Sequence, residues 1–419
     1  MVYPRYPDTF WSFRHSLKFI NKKASFPPLG LLTIASFLPK EWDVKLVDLN
    51  VENLNDKDIE DADYIFISAM LIQKNSVDMV IQKAKKFNKK IIAGGPLFTT
   101  GYENYHFVNS IVVGEGELVM PYLIEDIKSG NLKHIYESEV KPDLNVVPVP
   151  RWDLIDIKHY ASMAIQYSRG CPFNCEFCDI IILNGRIPRT KTPEQMIEEF
   201  NALYNIKWRG SLFIVDDNFI GNKKNAKEML KYLIEWQKER NYPFSLLTEC
   251  SINLVDDEEL MDLMIEANFN KVFIGIESPE EESLREINKV QNIKRNLIDS
   301  IKTLQNKGFE VMGGFIVGFD NDNISTFPKM LNFIQKSGIA TAMVGLLNVL
   351  PKTKLFERLK NENRILTISS GNNTDFTINF IPKNITKDEL LNGYRQLIKD
   401  LYSYKYFYER LWNFIKNFN

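Results

Sequence analysis

Short runs rich in Val and Ile alternate with helical stretches along nearly the whole chain. That alternation restricts the fold to parallel α/β architectures, because a parallel strand needs a crossover, usually a helix, before the next can pair. Before residue 140 the strand-like runs are "DVKLVDLN" (43–50), "DYIFISAM" (63–70), "KKIIAGGP" (89–96) and "SIVVGEGE" (110–117). Helical patterns such as "GLLTIASFLPK" (30–40) and "SVDMVIQKAKKF" (76–87) lie between them. The series predicts a doubly wound parallel sheet. Ligands of such sheets bind at the carboxyl ends of the strands, where Ser68, Gly94, Gly95 and the run Gly114-Glu115-Gly116-Glu117 fall. The opening "MVYP" reads as the end of a first strand whose beginning is absent.

A Pro-rich connector, "EVKPDLNVVPVPRWDLIDIKHY" (139–160), predicts a domain boundary. The alternation then restarts with "MAIQYS", "SLFIVDD", "FSLLTEC", "KVFIGIE", "EVMGGFIVGF" and "TAMVGLLNVL". Six β-α units fall short of the eight of a full (β/α) barrel, so a partial (β/α)6 TIM-type barrel, open on one side, is expected. A helical tail follows, starting where Thr386 and Glu389 have capping-box spacing. The expected domains are 1–140, a linker at 141–160, the partial barrel at 161–365 and a C-terminal helical extension at 366–419.

Charge excludes some partners. The chain has 419 residues, with 52 basic against 54 acidic side chains, so no overall field recruits nucleic acid or an anionic surface. No apolar run approaches the roughly 20 residues a membrane-spanning helix needs. The start is broken by prolines and charge, unlike a signal peptide. Four cysteines make no disulfide framework and suit a reducing cytoplasm.

Three of those four cysteines, Cys171, Cys175 and Cys178, crowd into "YSRGCPFNCEFCDI" (167–180), just after the first barrel strand. Gly170 and Pro172 favour a loop, and the C-x3-C-x2-C spacing lets three thiolates converge on one centre. Structural zinc sites take a fourth Cys or His. The remaining candidates are Cys250, His15, His106, His134 and His159, and none forms a ligand-like pair. Thiolates also hold iron-sulfur clusters, and a [4Fe-4S] cluster on three cysteines leaves one iron open. Cys250 reads as a small buried filler.

The three-cysteine motif, with the aromatic Phe177 before its last Cys, closely resembles the radical S-adenosylmethionine superfamily. The resemblance implies that S-adenosylmethionine chelates the open iron and that one electron then cleaves it to a 5′-deoxyadenosyl radical. It further implies an electron donor such as flavodoxin or ferredoxin. Asp216 and Asp217 at the second strand end, Glu249 at the third, and Gly275 and Glu277 at the fourth match positions where the family contacts its cofactor. The first pair suits the methionine ammonium, Glu249 the ribose hydroxyls, and Gly275 with Glu277 the adenosyl part.

The front domain, through "PPLGLLTIASFLP", "LVDLNV", "AGGP" and "VVGEGE", resembles the cobalamin-binding domain of cobalamin-dependent members. Loops without bulky side chains let a backbone approach the flat corrinoid. The "GEGE" run fails the dinucleotide fingerprint because Val119 replaces its last Gly. Many cobalamin domains carry a D-x-H-x-x-G motif, which is missing here. His15 reads as a surface residue, so cobalamin is expected to have no histidine on its lower face.

Across nearly the whole chain, including "VYPRYPDTFWSF", "PVPRWDLID", "GGFIVGFD" and "GNNTDFTINFIPKNITKDELLNGYRQL", the sequence is most similar to radical methylases of the hopanoid C-2 type. The resemblance implies C-methylation of an unactivated carbon at the expense of two S-adenosylmethionine molecules. The substrate would be a polycyclic lipid or a peptide or protein side chain. The protein would be cytoplasmic, at the membrane surface if the substrate is a lipid. A radical reaction without methylation and a non-catalytic metal scaffold are the competing readings. Methylthiolation is disfavoured because only Cys250 remains for a second cluster. The aromatic tail "YSYKYFYERLWNF", with Tyr402, Tyr404, Tyr406, Phe407, Tyr408 and Trp412, is expected to pack in the core, with covering the barrel's open side as the alternative.

Overall fold

A computed structural model of the chain describes residues 1–9 and 12–418. Phe10 and Trp11, which fall in the "VYPRYPDTFWSF" stretch, lie outside the described residues. Contacts divide the chain into two compact units: 1–165 with 183–185 and 190–210, and 166–182 with 186–189 and 211–419.

The first unit carries a six-stranded parallel sheet. Its strands are β1 (Val2–Tyr3), β2 (Val47–Asp48), β3 (Tyr64–Ser68), β4 (Lys90–Gly94), β5 (Ser110–Val113) and β6 (Ile135–Glu137), in the order β2-β1-β3-β4-β5-β6. All neighbouring pairs are parallel. Period-two alternation sends side chains to both faces, and both faces are covered. Ile65, Ile67, Ile91, Ala93, Ile111 and Val113 pack with Val77, Val80, Ile81 and Ala84 of the helix Lys74–Lys86. Phe66, Ile92 and Val112 pack on the opposite face with Leu38, Met120, Leu123 and Ile127.

The strand order reverses between β1 and β3. In a doubly wound sheet the crevice at such a reversal is where ligands enter. The "MVYP" opening supplies β1 itself, paired Val2 with Val47 on one side and Val2 with Ile67 on the other.

The Pro-rich connector is laid onto this first unit. Trp152 is buried, Ser36 Oγ donates to Val149 O at 2.6 Å, and Tyr160 Oη donates to the buried Asp48 carboxylate at 3.0 Å.

The second sheet is also parallel and six-stranded. Its strands are β7 (Met163–Ile165), β10 (Gly210–Ile214), β11 (Phe244–Cys250), β12 (Phe269–Glu277), β13 (Glu310–Val317) and β14 (Ala342–Leu346), in sequential order from β14 to β7. The short strands β8 (Ser168–Arg169) and β9 (Arg189–Thr190) form a separate pair. All six strand candidates of this half are strands, and β7 and β14 stand at the two ends of the sheet order, as a partial barrel requires. In β11, Phe244, Leu246, Thr248 and Cys250 are buried while Leu247 and Glu249 alternate to the other face. Glu249 pairs in register with Phe273, and Gly275 with Gly314, so these share that face.

The tail forms the helices Lys387–Leu401 and Tyr404–Asn417. Thr386 and Glu389 make the expected capping box. The last helix packs on Thr326–Ser337 and Leu297–Asn306. Its aromatics do not fill the core: Tyr404 is 85% exposed, Tyr408 63% and Trp412 59%. The helix instead buries Arg410, which donates to Gln335 Oε1 and Leu401 O, each at 2.9 Å. Apolar spacing marks one face of a helix without saying which way that face turns, and here main-chain carbonyls claim the opposite side through the guanidinium.

Gly338 makes this packing possible. It has φ +70°, and a Cβ there would stand 2.9 Å from Phe414 N and 3.1 Å from the Asn413 carbonyl carbon. Gly338→Ala is therefore expected to destabilise the second unit by about 2 kcal/mol, from left-handed strain plus a backbone clash. Chemical denaturation would read this, and an unchanged midpoint would contradict the close approach.

Candidate active site

In the second unit the end of β10 anchors the peptide leading into the cysteine loop. The buried Asp216 carboxylate accepts from Tyr167 N at 2.8 Å, Ser168 N at 2.9 Å and Ser168 Oγ at 2.7 Å. Asp217 Oδ2 accepts from Gly170 N at 2.8 Å, where Gly170 turns the chain with φ +97°. Both oxygens of Asp216 are engaged by the chain, so it positions the loop. Burial raises its pKa to about 7 against the opposing pull of those hydrogen bonds.

The three loop cysteines are free thiols, with Cys175 buried. Asn218 Nδ2 reaches Cys171 Sγ at 4.0 Å and Gln291 Nε2 reaches Cys175 Sγ at 3.9 Å. Burial pushes all three thiols up, Cys178 to about 12, and Cys175 raises both of its neighbours further. Lys289 pulls each the other way. Its ammonium bonds Glu277 Oε1 at 2.7 Å.

Thiolates form when metal replaces their protons, and the nearby cation with amide donors aimed at sulfur favours that charged state. Among the described residues, no three His, Cys, Asp or Glu side chains are already drawn to metal-bonding geometry. The fit to a cluster rests on donor type, spacing and this electrostatic setting. Gln291 Oε1 is buried with no hydrogen-bond partner, leaving an acceptor on the residue that reaches Cys175 for a bound group to satisfy.

Glu249, Asp217, Glu277 and Asp216 share one acidic field. Burial raises Glu249 to about 7, and Asp217, Glu277 and Asp216 add to the rise. Glu277 takes φ +64°, uncommon for a residue with a side chain. Gly275 has a local reason to be glycine, since a Cβ there would stand 2.5 Å from Glu277 Oε1 and 2.9 Å from Lys289 Nζ. Phe177 packs on Phe319 with ring centroids 6.3 Å apart. Cys250 is buried on the opposite face of β11 from Glu249.

In the first unit, Ser68, Gly94, Gly95 and the 114–117 run lie at the carboxyl ends of β3, β4 and β5. Gly95, with φ +89°, is required by packing, since a Cβ there would meet Ser68 Oγ at 2.7 Å. Gly116 is crowded in the same way by Ile34. At Gly114 nothing stands within 4 Å of a Cβ, so its φ of +80° alone asks for glycine and the space beside it is open. The Glu115 carboxylate lies 3.8 Å from Lys141 Nζ. His15, His106 and His134 are exposed and His159 is half-buried.

Sequence reading missed residues at the β1/β3 reversal. Tyr3 and Tyr6 share a hydroxyl bond at 2.7 Å, Tyr6 Oη donates to Met70 Sδ at 3.3 Å, and the buried Gln73 amide bonds Pro4 O. It also missed Lys289, and Asn218 and Gln291, whose cysteine partners come from distant segments.

Three family models match the chain: the radical SAM superfamily at residues 165–334, a B12 binding domain at 19–124, and a domain of unknown function (DUF4070) at 353–419. An uncharacterised methyltransferase of Synechocystis is 43% identical over 96% of this chain and 75% of its own length. The hopanoid C-2 methylase of Rhodopseudomonas palustris is 36% identical over 90% of this chain and 73% of its own. The bacteriochlorophyllide d C-12(1)-methyltransferase of Chlorobaculum tepidum is 25% identical over 91% and 84%. Among solved structures, the radical S-adenosylmethionine methyltransferase TsrM of Kitasatospora setae, with cobalamin and a [4Fe-4S] cluster bound, shares the fold. It has a TM-score of 0.67 at 15% identity, covering 86% of this chain and 77% of that one.

Proposed function

The chain belongs to the cobalamin-dependent radical S-adenosylmethionine methyltransferases, and from that membership we propose that it methylates an unactivated carbon of an apolar polycyclic lipid. The observation that carries the substrate class is the 36% identity to a hopanoid C-2 methylase over 90% of this chain. Each methylation would consume two S-adenosylmethionine molecules, with electrons from a flavodoxin- or ferredoxin-type donor.

When bound, the cluster, S-adenosylmethionine and cobalamin supply the one-electron chemistry and the methyl group. The chain's own residues hold and orient. Cys171, Cys175 and Cys178 are the iron ligands. Asp216 and Asp217 fix the entry to their loop, and the Lys289–Glu277 pair with Glu249 forms the polar floor for S-adenosylmethionine. Ser68, Gly94, Gly95 and the Gly114–Gly116 turn form the face offered to the corrinoid.

Ionised Glu249 binds ribose hydroxyls more strongly than its protonated form does. With its pKa raised to about 7, affinity for S-adenosylmethionine is expected to fall several-fold as pH drops from 8 to 6, roughly one charge-assisted hydrogen bond's worth. Glu249→Gln should bind weakly with no pH dependence. Calorimetric titration reads both, and a pH-independent wild type would remove Glu249 from the site.

Lipid delivery has a surface to match. Tyr404, Tyr408, Trp412 and Ile415 line one exposed face of the last helix, with Lys405 and Lys416 along its edge. Aromatics bordered by lysine suit an anionic lipid interface. No helix among the described residues is long and apolar enough to cross a membrane. Flotation with phosphatidylglycerol vesicles should carry the wild type and leave Trp412→Glu behind. A wild type that stays unbound would end the peripheral-membrane reading. The substrate class itself is tested by supplying a pentacyclic triterpene with methyl-labelled S-adenosylmethionine. Labelled triterpene supports it, while label absent from the triterpene under active turnover counts against it.

A further inference from the structure

We propose that the C-terminal segment starting at Thr353, which a model of a domain of unknown function matches, is the clamp of the iron-binding loop. It would act through a two-pronged bond from Arg358 to Glu176. Glu176 stands between the second and third cysteines of the motif. Its side chain and both its main-chain polar groups are held. Glu176 N donates to Ile287 O at 2.9 Å, and its carbonyl accepts from Leu355 N at 3.0 Å. Its carboxylate takes Arg358 Nε at 2.7 Å on one oxygen and Arg358 Nη2 at 3.0 Å on the other.

The arginine is itself fixed from two sides. Its helix, Lys354–Asn361, starts on the buried Thr353, whose hydroxyl caps Phe356 N at 3.1 Å, and it roots in the core through Leu355 and Leu359. The remaining guanidinium nitrogen, Nη1, bonds Asp320 Oδ2 at 2.7 Å, and Arg364 holds the same carboxylate. The Asp320 amide in turn bonds Glu286 at 2.9 Å. The cysteine loop, the segment after β12, the turn after β13 and the C-terminal segment are thus tied at one point.

Three thiolates around one centre repel each other, and a broken iron–sulfur bond re-forms only if its sulfur stays near. Pinning the residue between two ligands keeps their effective concentration high. A planar fork sets that geometry, which an ammonium cannot reproduce.

The inference rests on the cluster being held by Cys171, Cys175 and Cys178, and the test separates the two. Anaerobically reconstituted full-length protein is mixed with an iron chelator. Loss of cluster absorbance is followed alongside the electron paramagnetic resonance of the reduced cluster. Arg358→Gln should release iron about tenfold faster than wild type, the equivalent of one charge-assisted hydrogen bond, with a changed resonance lineshape. Arg364→Gln, which removes a charge from the same network without touching the loop, should stay within about twofold. Glu176→Gln with Arg358→Gln should be no faster than Arg358→Gln alone. Wild-type release from Arg358→Gln, equal release from both arginine variants, or additivity in the double variant would each overturn the clamp. A wild type holding no more iron than Cys175→Ala would overturn the cluster reading and the clamp with it.

Discussion

Cys175→Ala is expected to abolish reductive cleavage of S-adenosylmethionine, lowering 5′-deoxyadenosine formation by at least about a thousandfold, some 4 kcal/mol of barrier. Cys175 is the buried member of the three, it receives the Gln291 amide, and its charge is felt by both Cys171 and Cys178. Two thiols cannot replace three around a cluster that must keep one iron open. The contrasting variant is Cys250→Ala. Cys250 is buried on the far face of β11 and takes no part in the loop, so cleavage should stay within about twofold of wild type. Undiminished cleavage by Cys175→Ala would refute the iron-ligand assignment.

The second large effect is expected at Asp216, which anchors the peptide entering the cysteine loop. Asp216→Ala leaves Tyr167 N, Ser168 N and Ser168 Oγ without their acceptor inside the protein. Stranding several buried donors costs about 3 kcal/mol or more, and the peptide entering the cysteine loop loses its anchor. Reconstituted iron should fall to a small fraction of wild type even at temperatures where the variant remains folded. Asp216→Asn keeps one acceptor and should be intermediate.

The sign of the pH effect follows from a folded pKa raised from 3.8 to about 7. Between those values the folded state holds a proton that the unfolded chain has lost, so the Asp216 contribution to stability falls as pH rises through that window. The neutral asparagine has no such slope. Denaturation at pH 5 and pH 7 should therefore show wild type losing more stability than Asp216→Asn. Equal losses would mean that Asp216 does not titrate as its burial implies.

Much of this architecture is legible because local chemistry announces it. The strand-like runs between helical stretches mark ten of the strands, and the Thr386–Glu389 spacing gives the start of the tail helix. The cysteine spacing places three thiols in one loop. What is hidden depends on partners far away in sequence. Asp216 stands out as a strand-end carboxylate, yet its donors lie 48 and 49 residues earlier and are mostly main-chain N–H groups, which carry no side-chain signal. At Gly275 the sequence does not show that the Glu277–Lys289 pair stands where a side chain would be. Arg358 reaches Glu176 across 182 residues. The last helix shows the limit of periodicity: its aromatics are regularly spaced, yet Arg410 and the carbonyls it bonds decide which side turns inward.

The most direct test of the account is product analysis on anaerobically reconstituted full-length protein. It would be supplied with S-adenosylmethionine, a low-potential reductant and methylcobalamin, or with cobalamin omitted. The account predicts both 5′-deoxyadenosine and S-adenosylhomocysteine, with the second product dependent on cobalamin. An intact cluster that yields 5′-deoxyadenosine alone, whether or not cobalamin is present, would contradict a cobalamin-dependent methyl transfer.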